Sequence, residues 1–77
     1  MLERYSFDYN NRFSGKVDRL VIAANSLNDA KRRLDQDMMA MQRKYPVSPP
    51  HSLSDLTFLY TSPAKHDDFD GWLELNP

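Results

Sequence analysis

The fold is decided by residues 26–45, SLNDAKRRLDQDMMAMQRKY, the longest stretch of the chain with helical periodicity. Its apolar side chains recur at steps of three and four residues, which places them on one narrow stripe of an α-helix: Leu27, Ala30, Leu34, Met38, Met41 and Tyr45. Ser26 followed by Asp29 is a helix-start signature in which Asp replaces the usual Glu. Pro46 ends the helix, because the residue before a proline avoids helical backbone.

Four short segments around this helix alternate apolar and polar side chains, as half-buried β-strands do. They are residues 2–9, 16–24, 56–61 and 72–75. The helix and the third strand are separated by a proline-rich loop with a short turn at residues 52–55. We therefore predict a single α+β domain spanning residues 1–77. Its order is β-β-α-β-β, with one amphipathic helix on one face of a small, mainly antiparallel sheet.

This arrangement predicts which side chains are buried. The expected core lies between helix and sheet and consists of Tyr5, Phe7, Leu20, Ile22, Leu27, Ala30, Leu34, Met38, Met41, Phe58 and Leu73. A single helix covers only one face of a sheet. We therefore expect Val21, Leu59 and Trp72 on the opposite, open face, through which two copies of the chain would form a homodimer.

Composition limits the classes of function. The 77 residues include no Cys and carry a formal net charge of −1. The longest apolar run, residues 20–24, is far too short to cross a bilayer, and the N-terminus lacks the apolar core of a signal peptide. We expect a soluble, cytoplasmic protein that does not enter membranes. Residues 1–45 carry a balance of +3 and residues 46–77 a balance of −4, so the chain lacks the strongly basic character of a nucleic-acid binder.

Residues that support catalysis are scarce in this sequence. The chain has no cysteine nucleophile and no Gly-x-Ser-x-Gly motif. Its two glycines exclude a P-loop and a dinucleotide fingerprint, and His51 and His66 both fall in predicted loops. We expect no enzymatic activity, no catalytic residues and no cofactor.

One segment is similar to part of a calcium-binding loop. Asp68 and Asp70 stand at alternate positions before Gly71, a spacing that calcium loops use. The similarity fails where His66 replaces the first carboxylate and Pro77 the last one. We therefore predict a solvated acidic loop and no metal site.

The same loop leads into the candidate partner-binding segment, which comprises Asp67, Asp68, Asp70, Trp72 and Glu74. An exposed Trp beside carboxylates is a plausible binding hot spot, because Trp supplies a large contact area at low entropic cost. The alternative is that Trp72 folds back and covers the edge of the core, as large aromatic side chains usually do.

The outer face of the helix is the alternative surface. It carries Arg32, Arg33, Met39, Arg43 and Lys44. Basic side chains there would contact phosphate or an acidic protein, with Met39 as an adaptable apolar anchor. The other interpretation is an ordinary solvated helix face.

Residues 24–31, ANSLNDAK, open the helix after a β-hairpin in a very short chain. In this style the chain resembles small α+β proteins of phages and mobile elements, including the anti-CRISPR inhibitors. The resemblance implies a non-enzymatic inhibitor that binds a host protein or ribonucleoprotein, such as a CRISPR surveillance complex, and covers its nucleic-acid-binding surface. The alternative is a small nucleic-acid-binding or regulatory protein, similar to an antitoxin, that uses the basic helix face.

Overall fold

The computed structural model describes residues 1–12, 14–48, 50 and 52–76, with side chains described up to residue 73. Its elements are β1 (Glu3–Asn10), β2 (Val17–Ala24), α1 (Leu27–Lys44), a 3₁₀ turn (Leu53–Asp55), β3 (Leu56–Pro63) and β4 (Gly71–Asn76). The predicted α+β class and element order are confirmed, and the fourth strand is present.

The four strands form one antiparallel sheet in the order β3-β1-β2-β4. The central hairpin pairs Tyr5 with Ile22 and Phe7 with Leu20, so these side chains point to the same face. The hairpin turn contains Gly15, whose φ of 71° is a backbone conformation that suits glycine. Because β3 and β4 flank the hairpin, they form the two edges of the sheet.

The start of α1 is fixed by the predicted cap. The hydroxyl of Ser26 accepts a hydrogen bond from the Asp29 backbone N–H at 3.0 Å, which satisfies one of the free donors at the helix start. At the other end, the Tyr45 backbone N–H donates to the Met41 carbonyl. Arg43 and Lys44 lie in the last turn, where the helix dipole favours positive charge.

The core lies between α1 and the sheet. Its buried members are Tyr5, Phe7, Tyr9, Leu20, Ile22, Ala24, Ala30, Leu34 and Met38, while Leu27 is partly buried against them. Three predicted core residues lie outside this cluster: Met41 is 40% exposed, Phe58 is 39% exposed, and Leu73 is half-buried in a bulge of β4. Met41 lies at the rim of a groove between α1 and the sheet. Phe58 lies on the edge strand β3, where its ring packs against the Phe7 ring with the two ring centroids 5.6 Å apart.

Two bulges overturn the strict alternation expected for the outer strands. In β4, Trp72 pairs with Ile22 and Glu74 pairs with Val21, so Leu73 is an extra residue. In β3, Leu59 is the extra residue between Phe58 and Tyr60. Across one extra residue, the side chains before and after it no longer follow strict alternation, so one of the two sides lies on the opposite face from the one expected. Trp72 therefore lies on the helix side of the sheet, and its predicted place on the open face is wrong.

The open face differs from its prediction in a second respect. Val21 does lie on that face, but it is buried, because its strand is central and is flanked by β1 and β4. Leu59 is half-buried in its bulge. The large apolar side chains that this face exposes include Val17, at 60%, and Tyr60, at 52%. Nearby, Arg19 donates to Asp8 at 3.0 Å. A homodimer through this face stays a prediction.

Candidate protein-binding groove between helix and sheet

The acidic segment predicted from the sequence is tied to the sheet by Asp68. Its two carboxylate oxygens accept hydrogen bonds from Nε and Nη2 of Arg4 at 2.8 and 2.7 Å. The Lys65 backbone N–H donates to the same carboxylate at 2.8 Å. These contacts, led by the Arg4 guanidinium, lower the pKa of Asp68 to about 2. The Asp68 side chain is only 5% exposed, so little of its charge faces solvent.

Asp70 ties the same loop to the helix. Nη1 and Nη2 of Arg33 both donate to its carboxylate, and this contact lowers the pKa of Asp70. Arg33 also pairs with Asp29 one helical turn earlier, at 3.2 Å. We call the two pairs, Arg4–Asp68 and Arg33–Asp70, the loop clasp, because they hold the β3–β4 connection against both layers of the fold.

The loop clasp changes the chemistry expected of the acidic segment. Two of its aspartates neutralise arginines of the same chain. Asp67 is exposed, and the Glu74 side chain lies outside the described part of the structure. The role of this segment in partner binding stays a prediction, with Asp67 as the carboxylate best placed to supply it.

Trp72 belongs to the helix side of the molecule. It is half-buried and packs against the core, and its indole N–H donates to the Asp37 carboxylate on α1. This matches the alternative in which Trp72 covers the edge of the core. A large aromatic side chain with one polar atom is suited to this position, because the ring is covered while the N–H has a partner.

Beside Trp72, helix and sheet enclose an apolar groove of about 100 Å³ that is open to solvent. Its lining consists of Tyr9, Leu20, Leu34, Asp37, Met38, Met41, Leu56 and Trp72. Asp37 is the one charged residue among these eight, and its carboxylate already accepts the Trp72 hydrogen bond. We call this feature the helix–sheet groove. Its rim is Met41, and Tyr45, 51% exposed, follows one turn later on the same stripe.

The helix–sheet groove was missed by sequence reasoning, although part of its signal is visible. The apolar stripe of α1 runs on to Tyr45, whereas the helix-facing side chains of β1 end at Tyr9. A stripe that continues past the side chains available to cover it predicts an uncovered apolar surface. The sequence alone did not fix how far the sheet extends under the helix.

The basic helix face divides into two parts. Arg32 pairs with Asp29, and Arg33 belongs to the loop clasp. Met39 is 57% exposed and lies away from the groove. Arg43 and Lys44 are exposed at the end of α1, and the Lys44 ammonium lies 5.4 Å from the centre of the Tyr45 ring. Lys44, three residues after Met41, is on the groove side of α1, whereas Arg43, four residues after Met39, is on the outer face.

A second charged cluster lies at the end of the sheet beside the turn between β1 and β2. Buried Asp55 accepts from Arg12 at 2.8 Å, and buried Asp18 accepts from the Asn11 side chain at 3.0 Å. Burial, together with the charges of Asp55 and Asp18, raises the pKa of Tyr9. The tyrosine therefore stays neutral beside the two carboxylates.

The calcium-like loop faces arginines. Asp68 and Asp70 point to Arg4 and Arg33, and His66 is exposed. Among the side chains that the structure describes, which end at residue 73, no three from His, Asp or Glu converge as metal ligands. His51 and Pro77, which the sequence analysis weighed, lie outside the described residues. Among the helices that the structure describes, none is long and apolar enough to cross a membrane.

Comparison of the chain with protein-family models, with curated proteins and with solved structures finds no match. The geometry of the helix–sheet groove and the charges around it are therefore the basis for a functional proposal.

Proposed function

We propose that the protein is a non-enzymatic protein-binding module, and that its partner inserts an apolar side chain into the helix–sheet groove. The observation that supports this proposal is an apolar groove open to solvent beside Met41 and Tyr45. Each Å² of apolar surface removed from water contributes about 25 cal/mol. A side chain filling the groove would serve as the central anchor of the interface, as pockets at interface hot spots do.

The charges around the groove indicate the chemistry of the partner. Lys44 is exposed at the end of α1, three residues after Met41 and on the same side of the helix. Charges of opposite sign at the edge of an interface accelerate association and select the partner. The fitting partner is a protein that presents an apolar side chain next to acidic residues.

The resemblance to small phage and mobile-element proteins suggests a first class of target. On this proposal the protein is an inhibitor of a host defence complex, such as a CRISPR surveillance complex, and acts in the host cytoplasm by covering the nucleic-acid-binding surface. The acidic residue Asp67 would then contact basic side chains of the target, while the groove holds the anchor. A chain without cysteine suits that reducing compartment.

The test is capture of partners from nuclease-treated host lysate by matched methionine variants. Met41→Lys places a charge at the groove rim, whereas Met39→Lys places the same charge on the opposite side of α1. Both positions are exposed, so both variants are expected to fold. Wild type and Met39→Lys should retain a stoichiometric protein that Met41→Lys loses. Equal capture by all three, or no protein captured above the Met41→Lys background, would contradict the proposal.

Further variants distinguish whether the acidic segment or the basic end of α1 binds the partner. Loss of capture in Asp67→Asn with retention in Met41→Lys would place the contact on the acidic segment. Recovery of nucleic acid without protein from lysate not treated with nuclease, lost in an Arg43→Gln/Lys44→Gln variant and weakened steeply by salt, would favour the antitoxin-like alternative. A band-shift with mixed DNA and RNA at low salt distinguishes that outcome directly.

A further inference from the structure

β3 is an edge strand with no charged residue along its length. It covers Leu56–Pro63 and pairs only with β1 in the described sheet, so one row of its backbone groups faces outward. Such edges are templates for pairing with another strand, and proteins usually protect them with Lys, proline, bulges or very short strands. β3 has a bulge at Leu59 and a proline only at its last position.

The opposite edge differs from β3 in length and charge. β4 has six residues against eight and carries Glu74. β3 exposes aromatic side chains on both faces: Phe58 on the helix side, at 39%, and Tyr60 on the open side, at 52%. A strand added beside β3 would cover both rings while it completes the backbone hydrogen bonds.

We propose that β3 pairs in antiparallel fashion with β3 of a second copy of this chain, so that two four-stranded sheets become one sheet of eight strands. Two observations favour a second copy. An uncharged edge meets its own copy without repulsion between like charges. The pairing of β3 with β3 is also two-fold symmetric and closes after two copies, whereas β3 with β4 would continue as an open chain. This inference goes beyond the proposed function and does not rest on it.

The test is sedimentation of the full chain and of variants at the edge. Thr57→Lys/Thr61→Lys changes two exposed residues of β3, one on each face. Because both copies then carry added positive charges along the shared edge, the dimer dissociation constant should rise about tenfold. Gln36→Lys, on the exposed outer face of α1, is the matched control and should leave the dimer intact.

A rescue experiment distinguishes charge repulsion at the edge from misfolding of the Lys variant. A Thr57→Glu/Thr61→Glu chain mixed with the Lys chain should form a heterodimer, because opposite charges then meet across the edge. A wild-type chain that stays monomeric at its highest workable concentration would overturn the proposal. So would a dimer equally stable in wild type and in the Lys variant, or a mixture of Lys and Glu chains that does not associate. Met41→Lys should not affect the dimer, so failure here is distinct from failure of the groove proposal.

Discussion

The two halves of α1 carry the same apolar stripe but have different surroundings. In the first half, Ala30 and Leu34 are 0% and 2% exposed, and the loop clasp holds this half through Arg33. In the second half, exposure on the stripe rises to 40% at Met41 and 51% at Tyr45. The stripe is buried from Ala30 to Met38, which is 7% exposed, and becomes exposed only from Met41 onward, at the rim of the helix–sheet groove.

This difference shows what helical periodicity does and does not report. It identifies the side chains that share a face of a helix; five members of the stripe lie within α1 on one face, and Tyr45 follows as the C-cap with non-helical backbone. It does not report what covers that face. An apolar position is part of the core only where another element reaches it, and here the sheet reaches the first half of α1 better than the second.

The largest expected effect is a difference in unfolding free energy between a substitution in the first half of α1 and one in the second half. Leu34→Ala should lower the free energy of unfolding by about 2–5 kcal/mol, because it removes a side chain that is only 2% exposed and leaves a cavity beneath α1. Met41→Ala should cost less than about 1 kcal/mol, because Met41 already contacts solvent. Urea denaturation followed by circular dichroism measures both. Equal losses in the two variants would mean that the stripe is buried uniformly, contrary to this description.

The second effect tests the loop clasp that holds the first half. The pKa of Asp68 is about 2 when folded, below the ordinary 3.8, and that of Asp70 is also lowered. Folded protein therefore binds these protons less readily than unfolded protein does. The clasp contributes stability above about pH 4, and this contribution is lost as the pH falls towards about 2.

The loop clasp is tested by comparing unfolding midpoints across that pH range. Asp68→Asn should reduce the loss of stability in acid. Asp8→Asn is the matched control, because the Asp8–Arg19 pair is more exposed, at 36% and 42%, and such pairs contribute little. If Asp68→Asn and wild type lose stability in parallel, Asp68 does not act in the way described.

The smallest effect concerns the start of the first half. Ser26→Ala removes the acceptor of the Asp29 backbone N–H and should cost about 1 kcal/mol. Ser26→Asp keeps an acceptor at the cap and should stay within about 0.5 kcal/mol of wild type. Thermal unfolding measures both variants. A neutral Ser26→Ala would show that packing of Ala30 and Leu34 alone fixes where the helix begins.

The sequence predicts features that depend on neighbouring residues. The cap at Ser26, the helix period and the turn before β3 are local, and each lies where the pattern indicates. The bulges at Leu59 and Leu73 were not predictable, because a bulge depends on the strand beside it. The loop clasp joins Arg4 to Asp68 across 64 positions, and no local pattern reports such a pair.

The candidate site was less accessible to sequence reasoning than the fold. The groove requires Trp72 on the helix side, and strict alternation in β4 placed it on the open side. It also requires Met41 to be uncovered, which depends on where α1 crosses the sheet. The acidic residues form a cluster in the sequence and were predicted to bind a partner, whereas in the structure Asp68 and Asp70 pair with arginines of the same chain.

The most direct test of the groove uses Trp72, the only tryptophan of the chain and part of the groove lining. Purified partner is titrated into wild type, Met39→Lys and Met41→Lys, and Trp72 fluorescence is followed after subtraction of partner emission. We expect the emission to change on binding and the Kd of wild type and Met39→Lys to agree. The Kd of Met41→Lys should be at least about tenfold weaker. Equal affinity of the two Lys variants, with unchanged Trp72 emission, would contradict a binding role for the second half of α1.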